Sequence, residues 1–251
     1  MWTDPEFDRR LEAITSWGDE PAAMVRDRLD SDGFHVFESL LDAAVVEELR
    51  GWFEVAFVAG SDSPGDSSGG ESGTRHIERF VGAGSPPAVA RLVTSKELLG
   101  SVRYTMRGAF RISSVGGRDP RPGFGRQGLH ADWGARFDPA RVEAVTAIWL
   151  LDPFNEVSGP TRVVPGTHRL KNGPPKSLAN PSARHPDERL ISAPPGSLLV
   201  FNGHLWHSGT RNETAACRRV VQCSFVARHH RYMAMRCPES LPPEACFLFE
   251  G

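Results

Sequence analysis

Apolar residues change their spacing once along this chain. Up to about residue 100 they recur at helical intervals. Pro21–Leu29 has this spacing and stops at Asp32-Gly33, a turn signal. Phe34–Phe37 is a short strand candidate. Asp42 stands as an N-cap ahead of a helix from Ala43 to about Ala59, with apolar residues at 45, 46, 49, 52, 53 and 56. Gly60–Gly73 is rich in Ser, Gly and Asp and has no period. It reads as a surface loop, and a long loop inside a compact domain can also serve as a lid. Ser85–Gly100 reads as one helix, opened by Ser85-Pro86 and closed by Gly100. From Val102 onward the runs are short, apolar or alternating, and separated by Gly/Pro turns: Val102–Val115, Gly128–Trp133, Val142–Leu151, Thr161–Val164, Ser197–Asn202 and Arg218–Ala227. That spacing predicts an antiparallel β sandwich or barrel. Lys171–Arg189 carries four prolines and reads as an inserted loop. One domain over 1–251 is expected: a helical part to about 100, a barrel over about 101–230 and a C-terminal tail, with the helices covering one sheet face.

Composition narrows the classes. With 29 Lys+Arg against 31 Asp+Glu the net charge is −2, so no global basic field exists to hold nucleic acid. No apolar run approaches the roughly 18 residues that span a bilayer. Met1–Arg10 is acidic and polar, unlike a secretory signal. The four cysteines (Cys217, Cys223, Cys237 and Cys246) form no C-x-x-C. They read as reduced thiols of a cytoplasmic protein. Lysine occurs only at 96, 171 and 176. The resulting Arg bias fits a GC-rich genome as well as it fits carboxylate recognition.

Two constellations carry chemistry. In His130-Ala131-Asp132 the outer residues share one strand face, so an imidazole and a carboxylate can converge on one ion or simply pair with each other. Gly196–Val226 reads as a strand, a polar turn and a second strand, with His207 at the first junction and Arg218 opening the second strand. Two imidazoles and one carboxylate form a facial set that suits non-haem Fe(II). His204 is the rival of His207, and Arg219 the rival of Arg218. Thr146, Ile148 and Leu150 share one strand face, and Trp149 is assigned to packing on the other.

These pieces occur in a fixed order: Gln127–Trp133, then Val145–Asp152, then Ser158–His168, then Gly196–Arg218, after an early Asp32–Phe37 followed by an amphipathic helix. The set resembles the phytanoyl-CoA dioxygenase-like (PhyH) family of Fe(II)/2-oxoglutarate oxygenases, over roughly residues 25 to 230. The resemblance implies a double-stranded β-helix, a cupin-like jelly-roll barrel, with helices outside it. It assigns Fe(II) to His130, Asp132 and His207, and the distal carboxylate of 2-oxoglutarate to Arg218, a charge-assisted match for a buried carboxylate. O2 takes the remaining position, and succinate and CO2 are the co-products. It reads His168 as structural. If Thr146 faces the barrel interior, its hydroxyl can reach 2-oxoglutarate. Gln127 is either a donor to that molecule or an ordinary strand-end amide. Halogenating relatives lack the carboxylate ligand, so Asp132 favours hydroxylation, desaturation or ring closure of a small metabolite. The contrasting readings are a non-oxidative metal-dependent isomerase, epimerase or lyase on the same barrel, and a barrel that only binds. His229-His230 reads as a solvated pair. The polar segment Thr74–Phe80 could meet an acidic or polar substrate, but is assigned to solvated surface.

Overall fold

The computed structural model describes residues 4–15, 21–59, 73–134, 141–230 and 235–250, with only the main chain at 175 and 176. The proposed loop or lid at Gly60–Gly73 lies, but for its last residue, outside the described residues. The elements run α1 (Pro5–Thr15), α2 (Ala23–Ser31), β1 (Phe34–Phe37), α3 (Ala43–Ala59), β2 (Thr74–Ile77), α4 (Pro87–Thr94), α5 (Lys96–Met106) and β3 (Phe110–Pro120). They continue with β4 (Ala144–Leu150), β5 (Thr161–Val164), α6 (Pro174–Ser177), β6 (Arg189–Leu190), β7 (Leu198–Asn202), β8 (Trp206–Gly209) and β9 (Val220–Ala227).

The strands form two antiparallel sheets. The larger has the order β1-β7-β4-β9-β3-β2 and the smaller β6-β5-β8. The fold is a mainly β jelly roll with helices packed outside one sheet. Every residue of β4 is buried, and the reason is that both of its faces are covered. Val145, Ala147 and Trp149 pack with Val221, Cys223 and Phe225 and with helical residues such as Leu49, Phe53 and Leu92. Trp149 Nε1 donates to the Leu92 carbonyl at 3.0 Å, which bears out its packing role. Ile148 and Leu150 face inward and meet Val163, Leu199, Phe201 and Val220 between the sheets.

Local chemistry explains where elements begin. Asp42 Oδ1 accepts the Val45 N–H at 2.9 Å and starts α3 as expected; such a cap contributes about 1 kcal/mol. The helix expected over Ser85–Gly100 is two helices. Ser95 leaves helical geometry (φ −57, ψ 131), and its hydroxyl accepts the Leu98 N–H to open α5. A short hydroxyl side chain that bonds its own main chain competes with helix continuation. Gly100 therefore lies inside α5, and the chain stays helical to Met106 before β3 begins at Phe110. Gly128–Trp133 is not a strand; it pairs with the small sheet as the isolated His130–His207 bridge. The polar segment at Thr74 is an edge strand, β2, not free surface. Arg75 anchors it to Asp119 of β3 (2.6 Å) and to Glu54 of α3 (2.6 Å).

The thiol expectation needs correcting. Cys237 and Cys246 form a disulfide with Cα atoms 5.1 Å apart, while Cys217 and Cys223 are free. Disulfides persist in oxidising surroundings, so cysteine usage no longer supports a cytoplasmic placement. Among the described residues no helix is long and apolar enough to cross a membrane.

Candidate metal and co-substrate site

The segment 127–133 is strapped along β8 by its main chain. Gln127 N donates to the Gly209 carbonyl at 3.0 Å. His130 and His207 exchange N–H···O bonds of 3.0 and 2.9 Å, and Trp133 N donates to Gly203 at 2.9 Å. This strap, rather than a hairpin, brings together residues far apart in sequence. The His130 and His207 rings lie 4.4 Å apart. Each Nδ1 is 3.0 Å from a backbone carbonyl, of Gly128 for His130 and of Leu205 for His207. An Nδ1–H donated there leaves the Nε2 lone pair for a cation. Both Nε2 atoms aim at Asp132 Oδ1, at 3.8 and 3.4 Å.

The Asp132 main chain is open to solvent, while its carboxylate turns into the cleft. Burial alone would raise the proton affinity of that carboxylate. His207 and the Thr146 hydroxyl, which donates to Oδ2 at 2.6 Å, hold it well below the usual range. Burial would lower the basicity of His207, but Asp132 outweighs it and the net direction is up. His130 is lowered, by burial first and by His207 second. Three ligand atoms lying within 4.8 Å of one another, two of them imidazole nitrogens and one a carboxylate oxygen, fit Fe(II).

Arg218 lies in the same cavity, which is also lined by Gln127, Ile148, Thr161, Gly209, Val220 and Gln222. It is 6% exposed, and its buried Nε meets no hydrogen-bond partner among the described residues. The guanidinium sits 5.2 Å over the Phe154 ring. Burial first, and Arg118 second, push its proton affinity down to about 10. A buried guanidinium with an unmet donor asks for an oxyanion, and the distal carboxylate of a 2-oxo diacid answers that. Arg219 faces away: its Nε donates to Asp152 Oδ2 at 2.9 Å and its Nη2 to Oδ1 at 3.1 Å.

The other residues singled out in the sequence separate cleanly. Gln127 lines the cavity, but its side-chain oxygen accepts the Gly209 N–H at 3.1 Å, leaving its amide NH2 for a ligand. The Thr146 hydroxyl is used by Asp132 and not by the cavity. His204 lies in the β7–β8 turn, outside the cluster around Asp132. The His168 ring packs on Gly33, where φ is +84 and a Cβ would collide with the ring at Nδ1, so its role is structural. His229 and His230 are not simply solvated; both reach Glu143 Oε2, at 3.2 and 2.9 Å. Arg141 occupies the other oxygen of Glu143 at 2.7 Å. Sequence reasoning missed Arg118 of the cavity wall and set Thr74 aside as solvated surface. The signal available for Arg118 was its place within the strand run that ends at Pro120, two residues from Gly116 on one face.

The fold is shared with HygX from Streptomyces hygroscopicus, solved with nickel and 2-oxoglutarate bound: TM-score 0.66, 18% identity, 82% of this chain and 87% of that one. It is also shared with SnoN, a non-heme alpha ketoglutarate dependent epimerase from nogalamycin biosynthesis: TM-score 0.64, 19% identity, 83% and 84% covered. Among curated relatives, Dioxygenase FrzG of Cladobotryum sp is 33% identical over 129 residues, half of this chain but only 42% of FrzG. Dioxygenase cdmA of Talaromyces verruculosus is 24% identical over 97% of this chain and 86% of its own length. The family pattern of phytanoyl-CoA dioxygenase (PhyH) matches residues 29–220, and the chain belongs to that family.

Proposed function

We propose that this protein is a non-haem Fe(II)- and 2-oxoglutarate-dependent dioxygenase that oxidises a small molecule, most simply by hydroxylation. The observation that carries this reading is the buried Arg218, its Nε unmet, in the same cavity as the His130–Asp132–His207 cluster. One cavity thus offers a metal end and a carboxylate end. The chemistry supplied there is oxidative decarboxylation of 2-oxoglutarate to succinate and CO2 with O2 at Fe(II), coupled to oxidation of the substrate.

The chain's own residues prepare that chemistry. Leu205 and Gly128 carbonyls fix the imidazole tautomers. Thr146 occupies Asp132 Oδ2, so Oδ1 alone faces the two imidazoles, and these three atoms would hold the Fe(II). Arg218 neutralises and orients the far carboxylate of the co-substrate. The inward apolar residues Ile148 and Val220 keep water from the space between the two ends.

Succinate release from 2-oxoglutarate under air, measured with Fe(II)-loaded protein, tests the reading. Succinate formation that is lost in Asp132→Ala supports it. Iron binding without any 2-oxoglutarate consumption would favour the non-oxidative isomerase, epimerase or lyase, in which Arg218 would hold a substrate carboxylate. The relationship to SnoN keeps epimerisation among the outcomes; one that depends on 2-oxoglutarate would still need Arg218.

A further inference from the structure

The two inner walls of the cavity differ in chemistry. From β4 the cavity is lined by the apolar Ile148, which packs with Leu150, Leu199 and Phe201 behind it. On the β2–β3–β9 side the cavity is lined by Thr74, Arg118 and Gln222 beside the apolar Val220, and Arg126 joins them from the loop after β3. Register explains the placement. Arg118 pairs with Val220 and Gly116 with Gln222, so Arg118 shares a face with the inward residues of β9, while Gly117 and Val221 face the helices. His76 stands opposite Arg118 on β2.

Charge counting gives this wall a meaning. Asp132 is the only carboxylate among the described lining residues, while Arg118, Arg126 and Arg218 are three guanidinium groups. Arg118 lines the same cavity as His130, His207 and Arg218. Arg126 donates one Nη to the Ser182 carbonyl at 3.0 Å, which braces it at the rim. A cleft lined by one sign of charge between apolar walls concentrates the opposite ion, and guanidinium groups recognise oxyanions through paired N–H donors.

We infer that Arg118, assisted by Thr74, Gln222 and Arg126, forms a recognition site for an oxyanion group, a carboxylate or a phosphate monoester, on the substrate to be oxidised. This rests on the dioxygenase reading and names the substrate class for it. Ile148 and Val220 take the apolar part of the same molecule.

The test uses the whole protein loaded with Ni(II) and saturating 2-oxoglutarate, so that the Arg218 pocket is filled. Matched probes are benzoate against benzamide and phenyl phosphate against phenol, read as thermal shift and as titrated affinity. At least one anion is expected to bind tenfold or more tightly than its neutral partner. That preference should fall at least tenfold in Arg118→Gln and largely return in Arg118→Lys. The two pairs distinguish carboxylate from phosphate. No anion preference in the wild-type protein, or a preference that survives in Arg118→Gln, overturns the inference. In parallel, the visible band of the anaerobic Fe(II)·2-oxoglutarate complex is recorded for each protein. Its absence from the wild type sinks the dioxygenase reading itself. Its loss in Arg118→Gln and Arg118→Lys alone would make Arg118 a 2-oxoglutarate contact and overturn the inference.

Discussion

Asp132 is asked for different things by its two oxygens. Oδ1 faces both imidazole Nε2 atoms and Oδ2 accepts the Thr146 hydroxyl at 2.6 Å. Partners behind a metal ligand typically change metal affinity by about 10–100-fold. Thr146→Val is predicted to weaken Fe(II) binding within that range and Thr146→Ser to restore it, as read by competition with a chelator. A change confined to 2-oxoglutarate affinity would return Thr146 to the co-substrate contact that its inward strand face suggested. Arg218→Ala is predicted to weaken 2-oxoglutarate by roughly 10- to 100-fold, since a hydrogen bond to a charged group contributes about 1.5–3 kcal/mol. Arg219→Ala should leave that affinity unchanged, because its guanidinium is engaged by Asp152. At this scale the sequence was informative where a motif fixed the residue: His130, Asp132, His207 and Arg218 meet in one cavity. Thr146 was legible as inward-facing but not as Asp132's partner, because that contact depends on a strap whose path only tertiary structure sets.

Among the elements, β2 couples the surface to the site. Arg75 joins it to Asp119, whose side chain is 2% exposed, and Asp119 Oδ1 accepts the Arg218 N–H at 2.8 Å. Removing one partner of a buried ion pair costs about 3–5 kcal/mol. Arg75→Met is therefore predicted to destabilise the protein by about 3 kcal/mol in denaturant unfolding, and to weaken 2-oxoglutarate binding through Asp119. Unchanged stability would show that β2 is not held this way. The same network sets an acid dependence. The hydrogen bond from Arg75 holds Glu54 below the ordinary carboxylate range, against a smaller opposing effect of burial. Its contribution is present above the unfolded value of about 4.3 and is lost as pH falls through the lower folded value. Glu54→Gln should flatten the acid limb of the Tm–pH curve. Sequence patterning located α3, β1 and β5 because caps and apolar runs agree there. It fused α4 with α5 because Ser95 breaks the helix without disturbing apolar spacing. It missed β2 because an edge strand with polar side chains has no apolar period to read, and α1 because its buried side is only Phe7, Leu11 and Thr15.

For the molecule as a whole, two sheets and an outer helical layer divide the work. The core around Trp149, Phe53 and Leu92 fixes the large sheet, while the layer around Leu199 and Phe201 fixes the distance between the sheets. The C-terminal segment closes one end: Phe247 packs on Phe7 with ring centroids 5.4 Å apart, and the Cys237–Cys246 bridge ties that segment's loop. A bridge closing so short a loop contributes about 2–3 kcal/mol. Reduction, or Cys246→Ser, is predicted to lower Tm by roughly 5–10 °C, with free-thiol titration confirming the change. The jelly roll itself was legible from short runs parted by Gly and Pro, whereas the pairing of β8 with β5 instead of β7 was not. Local sequence specifies strands but not which sheet each one joins.

In the proposed function one cavity holds Fe(II) at His130, Asp132 and His207 and 2-oxoglutarate against Arg218. Anaerobic ultraviolet–visible titration of the apoprotein with Fe(II) and 2-oxoglutarate tests it most directly. The expected result is a weak visible charge-transfer band that requires both additions, disappears in Asp132→Ala and needs far more 2-oxoglutarate in Arg218→Ala. Iron that binds with no such band, or a band indifferent to Arg218, would contradict it.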